Sequence, residues 1–237
     1  MKNNKTLGIL GGLGPMATAY FYEMLTAHTQ AASDADHIDM VISSRATTPD
    51  RTAFIVGRSD NDPRPAMCED AKRLEQWGCD LIAIPCNTAH YFYDSIQCSV
   101  NIPVLNIMRE TASHLHRTGI RCAGLLATDG TVQSRTYEKY LSEAGIECVT
   151  PNPEDQEQLM HLIYGQIKNG QSADFDIFLK ISDGLREKGA EALILGCTEL
   201  SLIGKEHTLP SFYVDSMEVL AKSTIIACEK PAAGFSF

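Results

Sequence analysis

Two cysteines, Cys86 and Cys197, stand at equivalent places in a duplicated stretch of the chain. Gly78-Cys-Asp-Leu-Ile-Ala-Ile-Pro-Cys86-Asn-Thr aligns without a gap on Gly189-Ala-Glu-Ala-Leu-Ile-Leu-Gly-Cys197-Thr-Glu, at an offset of 111 residues. Each cysteine ends a short apolar run that reads as a buried strand, and the polar residues after it read as the start of a helix. A thiol so placed lies at the carboxyl edge of a sheet, where α/β proteins bind ligands, and beside unpaired backbone N–H groups that favour the thiolate. Two similar halves packed about a pseudo-two-fold axis bring equivalent residues face to face. Two sulfurs on opposite sides of one bound carbon suit removal of a proton from one face and delivery to the other, the two-base chemistry that inverts a stereocentre.

Other candidates carry less. The cysteines at 68, 79, 98, 122, 148 and 228 form no Cys-x-x-Cys pair and read as reduced, structural thiols. Cys86-x-x-x-His90 and His114-x-His116 lack a second ligand pair of metal-site spacing, so no metal is expected. Gly12-Leu-Gly14-Pro-Met-Ala17 follows a strand and matches a permissive dinucleotide fingerprint. The strand ending near Ser43-Ser44 has no acidic residue for a ribose hydroxyl, however, and offers only Arg45 as a phosphate partner. The glycines read instead as a tight turn with Pro15 at the first helical position, lining a small-molecule cleft. Arg51 and Lys168 are the cations available to an anionic ligand, although composition alone leaves both as solvated surface charges.

The positioning elements follow from hydrophobic pattern. Apolar runs at 6–10, 38–43, 81–84 and 122–127 alternate with helical patterns at 15–31, 65–77 and 134–143, which predicts repeated β-α units and an α/β class with parallel sheets. The repeat extends beyond the cysteines: Ala71 to Trp77 lies over Ser182 to Lys188, Ile102-Pro103 over Leu209-Pro210, and Leu7 to Leu10 over Ala123 to Leu126. Residues 151–157 and 61–65 read as surface loops, and 231–237 as a loose tail. A chain of 237 residues, 44% hydrophobic and 21% charged, forms one large domain or two of about 110 residues each. A formal net charge of −10 without a basic cluster argues against nucleic acid as a partner. No apolar stretch approaches the roughly 20 residues that span a bilayer, and glycines break the first apolar run where a signal peptide would need continuity. The expected location is the cytoplasm.

Six motifs in order, Leu-Gly-Ile-Leu-Gly-Gly-Leu-Gly-Pro-Met-Ala-Thr (7–18), Pro-Asp-Arg-Thr-Ala-Phe (49–54), Asp-Pro-Arg-Pro (62–65), Pro-Cys-Asn-Thr-Ala-His (85–90), Gly-Leu-Leu-Ala-Thr-Asp-Gly-Thr (124–131) and Gly-Cys-Thr-Glu (196–199), run over nearly the whole chain. Together they resemble the aspartate/glutamate racemase family. The resemblance implies racemisation of an acidic amino acid without a cofactor, with Cys86 and Cys197 as the acid/base thiols. It implies that Arg51 and Lys168 hold a distal carboxylate, and that Asn87, Thr88, Thr128, Thr131 and Thr198 hold the α-carboxylate and ammonium. The implied fold is two Rossmann/flavodoxin-like lobes, 1–110 with 211–237 and 111–210, with the site in the cleft between them, and the implied assembly is a homodimer. Aspartate is the expected substrate and glutamate the second. The run Ser43-Ser44-Arg45-Ala46-Thr47-Thr48 departs from the more apolar, Asn-containing approach expected before Pro49. Two rivals stand beside this reading: a maleate-isomerase-like enzyme of the same superfamily, and a non-catalytic module that binds an acidic amino acid.

Overall fold

Period-2 patterning decides which face of each central strand meets which helices. The computed structural model describes residues 4–235. In β1 (Thr6–Gly11), Leu7 and Ile9 face one core and Leu10 another. After α1 (Pro15–His28) come β2 (Asp39–Ser44), α2 (Arg51–Ile55), α3 (Arg64–Gln76), β3 (Leu81–Ala83), α4 (Tyr93–Gln97) and α5 (Ile107–Arg117). Then follow β4 (Cys122–Leu126), α6 (Asp129–Gln133), α7 (Thr136–Glu143), β5 (Glu147–Val149), α8 (Pro153–Met160), α9 (Phe175–Glu187), β6 (Ala192–Leu195), α10 (Ser201–Glu206), β7 (Tyr213–Asp215) and α11 (Ser216–Ala227).

Two parallel sheets use one design twice. The first has the order β2-β1-β3, with a parallel bridge from Ile82 to Val104 beyond β3; the second has the order β5-β4-β6-β7. The sequence repeat maps onto this order, with β1 equivalent to β4 and β3 to β6. Gly8 and Gly124 are equivalent, and each lets a helix approach closely: a Cβ at Gly8 would lie 3.2 Å from Leu74 of α3, and one at Gly124 would lie 3.1 Å from Leu185 of α9. Both sheets share a central core in which Leu7 and Ile9 of β1, Ala123 and Leu125 of β4, Ile107 and Met108 of α5 and Met217 and Leu220 of α11 pack together. The outer face of the first sheet packs on α3 through Ile82, Met67 and Leu74, and that of the second on α9 through Leu193, Phe178 and Ile181. This is the expected α/β fold of two lobes.

Four expectations need correction. Residues 151–157 are not a loop: Asn152 caps α8 by accepting from Asp155 N at 2.9 Å, Pro153 takes the first position, and Glu154 and Asp155 suit the positive end of the helix dipole. The same residue types serve turns and helix starts, and here the start wins. The helical pattern over 134–143 breaks at Arg135, which takes the left-handed conformation (φ 54°) between α6 and α7. The tail is not loose as far as it is described. Ala232 bridges to Thr29, Ala233 N donates to His28 O at 2.9 Å, and the Phe235 ring stacks on His28; residues 236–237 lie outside the described residues. Finally, β7 pairs with β6 in the second sheet, so 213–215 lie with the second lobe, while α11 reaches back to α1 and α5.

Candidate active site

The carboxyl ends of both sheets converge on one small cavity. Cys86 follows β3 after Ile84-Pro85, and Cys197 follows β6 after Gly196; both are buried. Gly196 is required where it stands, because a Cβ there would lie 2.6 Å from Leu125 Cδ1 and 3.2 Å from Leu126 O. The cavity is lined by Leu13 of the turn after β1, Arg51 and Thr52 of α2, Cys86, Asn87 and Thr88, Thr128 before α6, Tyr164 and Lys168, and Cys197, Thr198 and Glu199. Its volume of about 10 Å³ holds at most a single water. Of the nine residues expected at the site, eight line this cavity. The ninth, Thr131, stands one step back and supports Thr88 and Thr128 through hydroxyl contacts of 3.0 and 3.3 Å.

Local sequence explains how each side chain is held. Asp50 caps α2 by accepting from Ala53 N at 2.6 Å, and its other oxygen accepts from Tyr164 Oη at 3.1 Å. Arg51, buried, donates to the carbonyls of Leu13 (2.5 Å), Thr48 (3.3 Å) and Pro49 (3.1 Å), while its Nε has no hydrogen-bond partner among the described residues. Gly12 makes this possible: at φ +79° it passes within contact of the Arg45 backbone, where a Cβ would lie 2.5 Å from Arg45 N. Arg45 itself is paired with Asp70 at 2.6 Å and Glu69 at 3.0 Å, which leaves no phosphate role for it. Tyr164 sits in a π-helical turn (His161–Gln166) and Lys168 in the 3₁₀ turn after it (Ile167–Asn169), with the Lys168 ammonium 5.0 Å from the Tyr164 ring centre. Such bulges are enriched at functional sites because they re-aim side chains that a regular helix would point elsewhere. Asn87 donates to Ser216 Oγ at 3.0 Å and accepts from Tyr137 Oη at 3.0 Å, and Ser216 donates to Leu195 O at 2.6 Å. Thr198 Oγ1 donates to Pro85 O at 3.3 Å, linking the two cysteine loops directly. His90 is a structural histidine whose ring bonds Cys86 O at 2.8 Å and accepts from Ile107 N at 3.2 Å; burial lowers its proton affinity.

Cys197 has a carboxylate as its immediate neighbour. The segment after Cys86 is a 3₁₀ turn (Thr88–Phe92), and three residues separate Cys197 from α10, so neither sulfur meets a full helix N-terminus. For Cys197 the expected activation is reversed. Burial, and then the charge of Glu199, push its thiol well above the ordinary range, with Lys168 opposing. Cys197 Sγ donates to Glu199 Oε2 at 2.9 Å, and Glu199 Oε1 lies 2.8 Å from Lys168 Nζ. Burial pushes Glu199 up, but Lys168 and the hydrogen bonds from Cys197 and Lys168 outweigh it and hold the carboxyl below its ordinary value. Burial likewise pulls Lys168 down, and the charges of Glu199 and Cys197 more than compensate. Cys197 is therefore a thiol, Glu199 a carboxylate and Lys168 an ammonium. Sequence reasoning missed Leu13, Thr52, Tyr164 and Glu199. Glu199 had a signal, as the second residue after a repeated cysteine; Tyr164 had none, because a four-residue spacing to Lys168 means little until the π turn is seen.

Comparison with known proteins agrees with this architecture. Residues 10–224 match the Asp/Glu/Hydantoin racemase family. The broad specificity amino-acid racemase RacX of Bacillus subtilis is 31% identical over 227 residues, covering 92% of this chain and 96% of that protein. The structure of Picrophilus torridus aspartate racemase superposes with a TM-score of 0.85 at 33% identity, covering 97% of this chain and 96% of that one. Glutamate racemase from Francisella tularensis shares the fold at a TM-score of 0.68 and 18% identity, over 95% and 82% of the two chains. A two-lobed α/β isomerase with paired cysteines in its cleft is the class that fold and site define. The chain belongs to the Asp/Glu/hydantoin racemase family and is an amino-acid racemase.

Proposed function

We propose that the protein interconverts L- and D-aspartate, with glutamate as the second substrate, by proton transfer between Cys86 and Cys197 and without pyridoxal phosphate or metal. The observation that carries this reading is that both thiols, from equivalent ends of two sheets, line one cavity together with Arg51 and Lys168. One sulfur as thiolate takes the Cα proton while the other, as thiol, delivers a proton to the opposite face, and the roles reverse for the other enantiomer. Arg51 and Lys168 hold the distal carboxylate; Arg51 Nε, the guanidinium nitrogen with no partner among the described residues, is left for such an acceptor. Asn87, Thr88, Thr128 and Thr198 hold the α-carboxylate and ammonium, with Thr131 supporting the threonines, and stabilise charge that develops on the carboxylate as the proton leaves. The protonated state of Cys197 supports its role as proton donor in one direction.

The test follows the Cα proton of L-aspartate and L-glutamate by NMR in D₂O with reduced, metal-free protein. Signal loss with appearance of the D enantiomer is expected for the wild type, and its abolition for Cys86→Ser and Cys197→Ser. A serine variant that retains near-wild-type turnover would remove that thiol from the mechanism. The broad-specificity relative supports a wider substrate range as a second reading, and alanine in the same spectra decides between them. No exchange with any of these would turn the reading to maleate isomerisation or to binding without turnover. The same reading includes a homodimer in the cytoplasm; a monomer mass in sedimentation would remove the dimer.

A further inference from the structure

Glu199 has no part in the two-thiol scheme, yet its carboxylate sits between two of the groups that scheme uses. Oε1 lies 2.8 Å from Lys168 Nζ, and Oε2 accepts from Cys197 Sγ at 2.9 Å. The side chain is buried, and the turn after β1 fixes it from the other side. A Cβ at Gly14 would lie 2.6 Å from Glu199 Oε1, so the glycine leaves room for this oxygen and little else. One carboxylate thus bridges the cation assigned to the substrate and the thiol assigned to proton transfer, in a cavity of about 10 Å³.

We propose that Glu199 is a built-in carboxylate which the distal carboxylate of the substrate displaces from Lys168, and which, once displaced, takes the proton of Cys197 in the direction in which that sulfur acts as the base. The inference rests on the acidic-amino-acid racemase reading of the site. In this step the S–H bond of Cys197 breaks, its electron pair stays on sulfur, and an O–H bond forms on Glu199, so net charge is unchanged. Lys168 exchanges one carboxylate for another and stays paired. Loss of its cation raises the proton affinity of buried Glu199 towards that of the thiol beside it, while the ammonium of Lys168 stays in the site and favours the Cys197 thiolate that forms. An amino acid without a distal carboxylate leaves the Lys168–Glu199 pair intact and Cys197 protonated. The choice of an acidic substrate is thereby coupled to activation of one thiol. Glu199 acts through Cys197 and Lys168 and is in that sense a positioning residue.

Succinate, a dicarboxylate with no amino group, is the probe. Ultraviolet thiolate absorbance of the wild type should rise on adding succinate, and should not rise for Glu199→Gln or Cys197→Ser. Calorimetry should show Glu199→Gln binding succinate about tenfold more tightly, because a neutral amide no longer competes for Lys168. Its kcat/KM for aspartate should fall about 100-fold. The fall must be equal for the two enantiomers, since the equilibrium constant between them is unity. A merely structural role would weaken succinate binding and turnover together. Unchanged or weaker succinate binding by Glu199→Gln, no thiolate signal in the wild type, or a wild-type kcat/KM in the variant would each overturn the inference. The wild-type assay separates the two readings. Racemisation without these succinate effects removes the role of Glu199 alone, whereas the succinate effects without racemisation of either acidic amino acid remove the proposed reaction and keep the carboxylate exchange.

Discussion

Equivalent residues of the repeat have acquired unequal neighbours. Cys86 is followed by Asn87-Thr88 and Cys197 by Thr198-Glu199. Thr88 joins a buried hydroxyl cluster, 2.9 Å from Thr128 and 3.0 Å from Thr131, with Thr52 completing it at 3.2 Å from Thr128. Glu199, its counterpart, carries a charge that raises the thiol beside it. Neutral hydroxyls reorient to suit a ligand, whereas a fixed carboxylate commits its surroundings to one protonation pattern. At this scale the distal-carboxylate assignment is testable through Arg51. Arg51→Ala should raise KM for aspartate at least about tenfold, the order expected for loss of a charge-assisted hydrogen bond, while leaving alanine turnover, where measurable, unaffected. Equal effects on both amino acids would withdraw the assignment, because the guanidinium would then act only by tying down the Leu13, Thr48 and Pro49 carbonyls.

At the scale of elements, the caps show how short polar segments orient long helices towards the site. Asn106 caps α5 by accepting from Met108 N at 3.1 Å, and Asp215 caps α11 by accepting from Met217 N at 2.8 Å, at matching places after Val104 and β7. The aspartate differs from the asparagine in being ionisable. Burial above all, with the charge of Glu218 adding and the hydrogen bond from Ser201 opposing, pushes Asp215 up from 3.8 to about 7. A carboxyl that binds its proton more tightly when folded lowers stability as pH rises between those two values, and the full penalty persists above the higher one. Asp215→Asn, whose amide oxygen can still accept from Ser201 and Met217 N, should raise Tm progressively over that window and by a constant margin above it. Thermal melts at pH 4, 6 and 8 check this, and a variant uniformly less stable than the wild type would refute it.

Across the whole molecule, α5 and α11 pack on each other at the centre of the shared core, while the two cysteine loops, which pack into separate outer cores, are joined by polar links. Tyr137 of α7, fully buried, donates to Asn87, which donates to Ser216, which donates to Leu195 O at the end of β6. The chain of bonds fixes Asn87 from the second lobe. Tyr137→Phe keeps the ring packing and leaves Asn87 Oδ1 without this donor, at a cost of about 1–3 kcal/mol. The expected result is a Tm lower by several degrees and a reduced kcat/KM in both directions, since the loop next to Cys86 loses its anchor. A variant with wild-type melting and turnover would show the link to be dispensable.

The repeat, the α/β class and the paired thiols were legible in local patterns of the chain, whereas Arg51, Lys168, Asn87, Thr88, Thr128 and Thr198 of the cavity lining were legible only through the family resemblance. Apolar runs make strands, an ungapped 111-residue echo makes two halves, and the polar residues after each cysteine must lie at a strand end. Asn, Pro and acidic residues signal a turn and a helix start alike, and the start of α8 shows itself only in the structure, where Asn152 caps the helix and Leu159 is buried. The protonation of Cys197 was beyond local pattern. It depends on Lys168, about thirty residues away along the chain, meeting Glu199 of the same lobe beside the small cavity, and on Gly14 of the other lobe leaving space for that carboxylate. Charge interactions gain their strength from burial and distance, and both exist only once the chain has folded.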